Sequence, residues 1–140
     1  MDYYQKEFIK LKEEFHDVMH DYPLFEEDID EIEEKRIKEI NELLDKQDEF
    51  YFKKAIDKLK DLIIYIRDTS TNIKKEYNIF DKLANTWESI EIINVSSKEL
   101  NNINDQVRKA NSLIKSHKIK DLKEANKIME ELIKKYRYSK

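Results

Sequence analysis

The chain has 140 residues, of which 41% are charged and 39% are hydrophobic, and its formal net charge is −4. It contains no Gly, no Cys and a single Pro, at position 23, which excludes glycine-rich phosphate loops, nucleophile elbows, disulfide frameworks and thiolate sites. Helices accommodate this much Lys, Glu and Asp with so little turn chemistry, so we predict an all-α protein.

Amphipathic stripes of apolar residues predict a bundle of about six helices. The stripes cover residues 4–22, 29–44, 52–66, 73–90, 100–114 and 122–136. Pro23 ends the first helix, and Asp48 is a candidate N-cap for the third. Ser96 and Glu99 have the spacing of a capping box, which predicts the start of the fifth.

The third and fourth stripes are separated by a polar stretch that leaves two alternatives open. Ile66 and Ile73 are seven residues apart, so the helical phase is kept and one long helix can run through both stripes. A break capped by Ser70 or Thr71 is the alternative. The absence of Gly and Pro here favours the continuous helix.

An internal repeat predicts two related halves of three helices each. A shift of 70 residues aligns 37–67 with 107–137 and gives seven identities, among them Leu62 with Leu132. A shift of 72 places Phe15 on Trp87 in the preceding helices. We therefore expect three-helix units at 1–70 and 71–140. The two units can pack as one domain, 1–140, and they can share a long central helix.

The charge is distributed as a gradient along the chain. Residues 1–50 hold 18 acidic and 7 basic residues, whereas residues 105–140 hold 5 acidic and 11 basic ones. An overall acidic protein repels DNA at a distance, so no nucleic-acid partner is expected.

The longest apolar run, 62–66, is too short for a membrane span, and the N-terminus lacks a signal-peptide pattern. A cytoplasmic, membrane-free protein is expected, and heavy use of Ile, Lys and Asn is typical of an AT-rich bacterial genome.

The candidates for catalytic or metal chemistry are few. His16 and His20 have the i, i+4 spacing of a zincin helix, but Asp17 stands where the zincin has Glu, and the only other His is His117. Glu13 and His16 match a di-iron spacing that must occur twice, and the second half lacks it. We therefore predict no catalytic residue, no metal site, no cofactor and no enzymatic activity.

Aromatic residues provide the candidate partner surface. Tyr22 and Phe25 flank Pro23, and Phe50 and Tyr51 open the third helix. Within each group the rings cannot all face one core, and exposed rings mark partner sites. The alternative is that they seal the end of the bundle. Trp87 lies on the apolar stripe and is assigned to the core.

The second half carries a resemblance to a known family. Its parts are Phe80-Asp81-Lys82-Leu83 with Trp87, then 109–114, a polar turn, 121–126 and 131–133. Over about 77–136 this order resembles the helical C-terminal region of bacterial heat-shock chaperones of the DnaK type. The resemblance implies a non-enzymatic module that contacts client protein or co-chaperone, since the family's ATPase residues lie in a domain absent here.

Two other functions remain open at this level. One is a free-standing helical adaptor or self-associating bundle, which includes a homo-oligomer, and the other is a small metal-binding helical protein. Abundant amphipathic surface favours a protein partner or client polypeptide, and an acidic first half favours a basic or unfolded one.

Overall fold

The computed structural model of the chain describes residues 2–137. Helices take up 85% of them, and no strand occurs in this range. Five helices follow one another. They are α1 (Asp2–Asp21), α2 (Glu26–Glu31, Ile32–Arg36 and Ile37–Asp45 in succession), α3 (Glu49–Glu88), α4 (Ser97–Ile114) and α5 (Ile119–Tyr136). The all-α prediction is confirmed.

The prediction of six helices is wrong by one because α3 is a single helix of 40 residues. Ile66, Ser70 and Ile73 are spaced four and three apart and are all buried, so the buried face continues through the polar stretch. Ser70 is small enough to occupy that face, and no Gly or Pro interrupts the backbone hydrogen bonds. The continuous alternative is therefore confirmed over residues 66–73.

The described chain divides after Asn72 into two compact units. The first unit holds α1, α2 and the first part of α3. Its core contains Leu11, Val18, Ile32, Ile40, Ala55, Ile56, Leu59, Leu62, Ile63 and Ile66. The second unit holds the rest of α3 with α4 and α5. Its core contains Phe80, Ile103, Ala110, Ala125, Ile128, Met129, Leu132 and Tyr136.

In the first unit, two ion pairs show that α1 runs parallel to α3. Glu7 Oε1 lies 2.9 Å from Lys60 Nζ, and Glu14 Oε1 lies 3.0 Å from Arg67 Nη2. Both pairs join residues 53 positions apart, so the two helices advance in the same direction.

Helix α2 runs antiparallel to α3. Tyr65 donates its hydroxyl to Glu31 Oε2 (3.2 Å), and Lys58 Nζ lies 3.3 Å from Glu39 Oε2. Later residues of α2 therefore contact earlier residues of α3. The α1–α2 turn and the α2–α3 turn therefore lie at opposite ends of the first unit.

A π-helical segment, Ile32–Arg36, interrupts α2. The N–H of Ile37 donates to the carbonyl of Ile32, five residues earlier, instead of the usual four. The wider turn keeps Ile32 and Ile37 on the inner side of the helix despite their spacing of five. It also places the Arg36 guanidinium 3.9 Å from the centre of the Tyr65 ring, a cation–π contact.

Side-chain hydrogen bonds fix the helix ends of the second unit. Ser96 Oγ accepts from the N–H of Glu99, so the predicted cap at the start of α4 is confirmed. The Glu99 carboxylate accepts the hydroxyl of Tyr136 at 2.8 Å, which ties α4 to the end of α5. Asn126, which is 5% exposed, donates Nδ2 to the carbonyl of Glu76.

Candidate protein-interaction groove

An apolar groove of about 330 Å³ lies between α1 and α2 and is open to solvent. Its apolar lining consists of Phe8, Phe15, Ile37, Ile40, Leu44 and Leu59. Three polar side chains complete it: Lys12, His16 and Asn41. We refer to this feature as the α1–α2 groove.

The groove follows from the helical spacing of its walls. Phe8 and Phe15 are seven residues apart, two turns of α1, so they share one face. Both rings are only half-buried, although they pack against the core. Phe8 contacts Phe52 at a ring distance of 5.7 Å, and the nearly buried Leu59 forms the floor. Two aromatic rings thus remain available to a further apolar group.

The polar rim contains a single permanently charged side chain. Lys12 and His16, one turn apart on α1, are both exposed, and Asn41 is exposed on α2. The His16 ring lies 5.8 Å from that of Phe15. These groups can donate hydrogen bonds to a bound molecule, and they include no nucleophile with an adjacent base. The arrangement is suited to binding.

The helices that form the groove are strongly acidic. Over α1 and α2 the sequence has 16 acidic and 6 basic residues, a net charge of −10 with His neutral. Glu33, Glu34, Glu42 and Asp45 are exposed on α2. Lys12 therefore lies on a groove formed by two helices whose summed charge has the opposite sign.

Two of the predicted aromatic residues, one exposed and one half-buried, form a pair at the start of α3. Phe50 is 60% exposed, and its ring packs edge-on against the half-buried Tyr51 at 5.3 Å. Lys54 Nζ lies 4.7 Å from the Phe50 ring centre, and Lys46 Nζ lies 4.2 Å from that of Tyr51. Asp48 accepts the N–H of Phe50, which confirms Asp48 as the cap of this helix.

The other two predicted residues lie at the opposite end of the first unit. Phe25 is the N-cap residue of α2 and is only 8% exposed, so it is not part of an exposed surface. Tyr22 is half-buried and packs against the core. Counting along the antiparallel helices from the Glu31–Tyr65 bond, Phe25 and Phe50 are about 30 Å apart. The four aromatic residues do not form one surface.

The histidines do not converge on a metal site. His20 Nδ1 lies 3.1 Å from Asp21 Oδ1, and both side chains are exposed. His16 lies beside the groove, and His117 belongs to the turn before α5. Within residues 2–137, no group of three His, Asp or Glu side chains could hold a metal ion.

One buried carboxyl group stands out near the start of α2. Asp28 is 9% exposed, and its Oδ2 has no hydrogen-bond partner among the described residues. Burial raises the pKa of Asp28, and the neighbouring Glu27 and Glu31 act in the same direction, against a hydrogen bond from the Phe25 backbone. Burial and Glu31 likewise raise the pKa of Tyr65.

Sequence reasoning missed the groove because Phe8 and Phe15 read as an ordinary core stripe. One available signal was Lys12 between them, a charged residue within the apolar face. A second was the spacing of five between Ile32 and Ile37, which an α-helix does not accommodate on one face.

No family model matches the chain, and no similar curated protein or solved structure was found. Among the described residues, no helix has the length and apolar character needed to cross a membrane.

Proposed function

We propose that the chain is a non-enzymatic, cytoplasmic protein-interaction module that binds apolar side chains of a partner protein in the α1–α2 groove. The observation that carries this proposal is the pair of partly exposed rings, Phe8 and Phe15, beside an opening of about 330 Å³. Apolar pockets lined by aromatic side chains are where protein partners place their anchor residues.

The proposal includes two related halves, with the first carrying the groove. The turns that precede residues 49 and 119 support it. Gln47 and His117, 70 positions apart, both have positive φ, at 54° and 62°. The N–H of Phe52 donates to Asp48 and that of Leu122 to Lys118, again 70 positions apart.

The buried residues follow the same shift. The pairs are Ala55 with Ala125, Leu59 with Met129, Leu62 with Leu132 and Ile63 with Ile133, and all eight are buried. Before the π segment the shift becomes 71, which pairs Ile32 with Ile103, both almost fully buried. The π segment thus accommodates one extra residue of the first half.

The equivalent positions in the second unit differ at the groove. A shift of 72 pairs Phe8 with Phe80, which is 8% exposed and belongs to the core. It pairs the charged Lys12 with Ala84, which packs against the core. The difference is confined to these two positions, because Phe15 and its counterpart Trp87 are both half-buried. A partly exposed Phe8 and a charged Lys12 favour a role of the first unit other than stability.

The test uses two matched Trp variants of the full chain. Asn41→Trp places a bulky ring in the groove, whereas Asn111→Trp makes the same change at the equivalent exposed position of α4. Proteins recovered from cell extract with the unaltered chain should be lost with Asn41→Trp and kept with Asn111→Trp. Melting temperatures of both variants should match the unaltered protein.

The resemblance of 77–136 to chaperone tails makes an unfolded client the first partner to examine. The chain should then suppress aggregation of a chemically denatured enzyme, and Asn41→Trp should reduce that effect. If the unaltered protein recovers no partner and suppresses no aggregation, the proposed function is wrong.

A further inference from the structure

We propose that the occupant of the α1–α2 groove is an amphipathic helix of a partner protein whose polar face is basic. This inference rests on the proposed function and specifies its partner. It is carried by the dimensions of the groove and by the charge of the helices that form it.

The dimensions of the groove fit a helix. Phe8 and Phe15 mark about 10 Å along α1, which is two helical turns. Apolar side chains spaced i, i+4 and i+7 on a partner helix cover the same length. The opening is exposed to solvent, whereas a small-molecule site buries most of its ligand. A helix that covers the opening from outside matches this shape.

The charge selects the polar face of that helix. With a net charge of −10 over α1 and α2, basic residues flanking an apolar stripe are attracted and acidic ones are repelled. The attraction must weaken with salt, because the Debye length is only about 8 Å at physiological ionic strength. A second copy of this chain does not offer such a helix in α5, which has five basic and four acidic residues and buries its apolar residues apart from Ile119.

Lys12 provides a test of sign. It is the one permanently charged side chain that lines the groove, and it lies on the α1 wall. A basic helix is repelled by Lys12 while it is attracted by the surrounding carboxylates. Removing this charge should therefore strengthen the binding of a basic helix and weaken the binding of an acidic one. A partner that pairs an acidic residue with Lys12 would instead bind more weakly after the charge is removed.

The experiment measures binding of dye-labelled peptides by fluorescence anisotropy. The probes are an 18-residue amphipathic helix of Leu and Lys, a Leu and Glu peptide of the same pattern, and a Leu and Lys peptide of scrambled order. The proteins are the unaltered chain and the variants Lys12→Gln, Asn41→Trp and Asn111→Trp. His16→Trp, on the α1 wall opposite Asn41, is the second blocking variant, in case Asn41→Trp does not fold.

We expect the amphipathic Leu and Lys peptide to bind most tightly, and we expect its affinity to fall when the salt concentration is raised from 50 to 300 mM. Lys12→Gln should tighten it about 1.5- to 5-fold, the range of one exposed charge interaction. Asn41→Trp or His16→Trp should weaken it about tenfold or more, as expected when a hydrophobic pocket is blocked, and Asn111→Trp should leave it unchanged.

Several results would overturn the inference. They are tighter binding of the Leu and Glu peptide, equal binding of the scrambled peptide, weaker binding after Lys12→Gln, or no effect of the blocking variants. If no peptide binds but Asn41→Trp still abolishes recovery of a partner protein, this inference is wrong and the proposed function stands. If, in addition, the unaltered chain recovers no partner protein and suppresses no aggregation, both are wrong.

Discussion

Leu62→Ala tests the packing of the first unit at a side chain that is 1% exposed. Leu62 belongs to the core cluster formed by all three helices of this unit. The change removes three buried carbon atoms at about 0.8 kcal/mol each, or about 2.4 kcal/mol, and the remaining cavity raises the cost to as much as about 5 kcal/mol.

The assay is urea unfolding followed by circular dichroism at the helical signal. If the free energy of unfolding depends on urea concentration as it does in typical small proteins, the urea concentration at the unfolding midpoint should fall by about 1.5–3 M. The control is Ile64→Ala, because Ile64 lies two residues away on α3 and is 54% exposed. That variant should change the free energy of unfolding by no more than about 0.5 kcal/mol.

Hydrogen exchange locates the effect. Core contacts of Leu62 lie within the first unit, so faster exchange should appear in α1, α2 and the start of α3. Leu132→Ala, at the equivalent buried position, should produce the corresponding loss in the second unit. A near-neutral Leu62→Ala, or an equal cost for Ile64→Ala, would refute the assignment of the buried face of α3.

Three other predictions follow from exposure, backbone geometry and pKa. Because the pKa of Asp28 is raised, ionising it costs stability, so the free energy of unfolding should fall as pH rises from the usual range of Asp through the raised pKa. Asp28→Asn should lack that fall in urea titrations between pH 4 and 7. Phe25→Ser should lower the melting temperature strongly and Phe50→Ser should not, since they are 8% and 60% exposed. Gln47→Gly should raise the free energy of unfolding by up to about 1 kcal/mol, because Gly adopts its φ of 54° without strain; Gln47→Ala should not.

The local features of the fold could be predicted from the sequence because neighbouring residues determine them. The apolar spacing identified the helices, and the hydroxyl and carboxyl groups of Ser96 and Asp48 identified two helix starts. Ser70 and its neighbours have low helix propensity, so the sequence favours a continuous α3 only through the absence of Gly and Pro. In the structure Ser70 is buried on the inner face of the continuous helix, and burial depends on tertiary packing.

The aromatic surface could not be placed from sequence proximity to turns alone. Phe25 and Phe50 each follow a turn, but consecutive turns of an up–down–up arrangement lie at opposite ends. The direction of α2 therefore separates them. The half-exposure of Phe8 and Phe15 was harder to predict, because it depends on how closely α2 approaches α1.

Three differences between the first unit and its proposed counterpart involve α1 and α2. At the proposed shifts, one extra residue falls in the π segment, and Lys12 pairs with Ala84. Asp28 corresponds to Glu99 at the shift of 71, yet Glu99 receives the Tyr136 hydroxyl while Asp28 Oδ2 receives nothing. The unpartnered Asp28 oxygen is a local cost that Glu99 does not have, and such costs persist in proteins mainly where function requires them. If the two units are copies, as proposed, the first has changed in the two helices that form the groove.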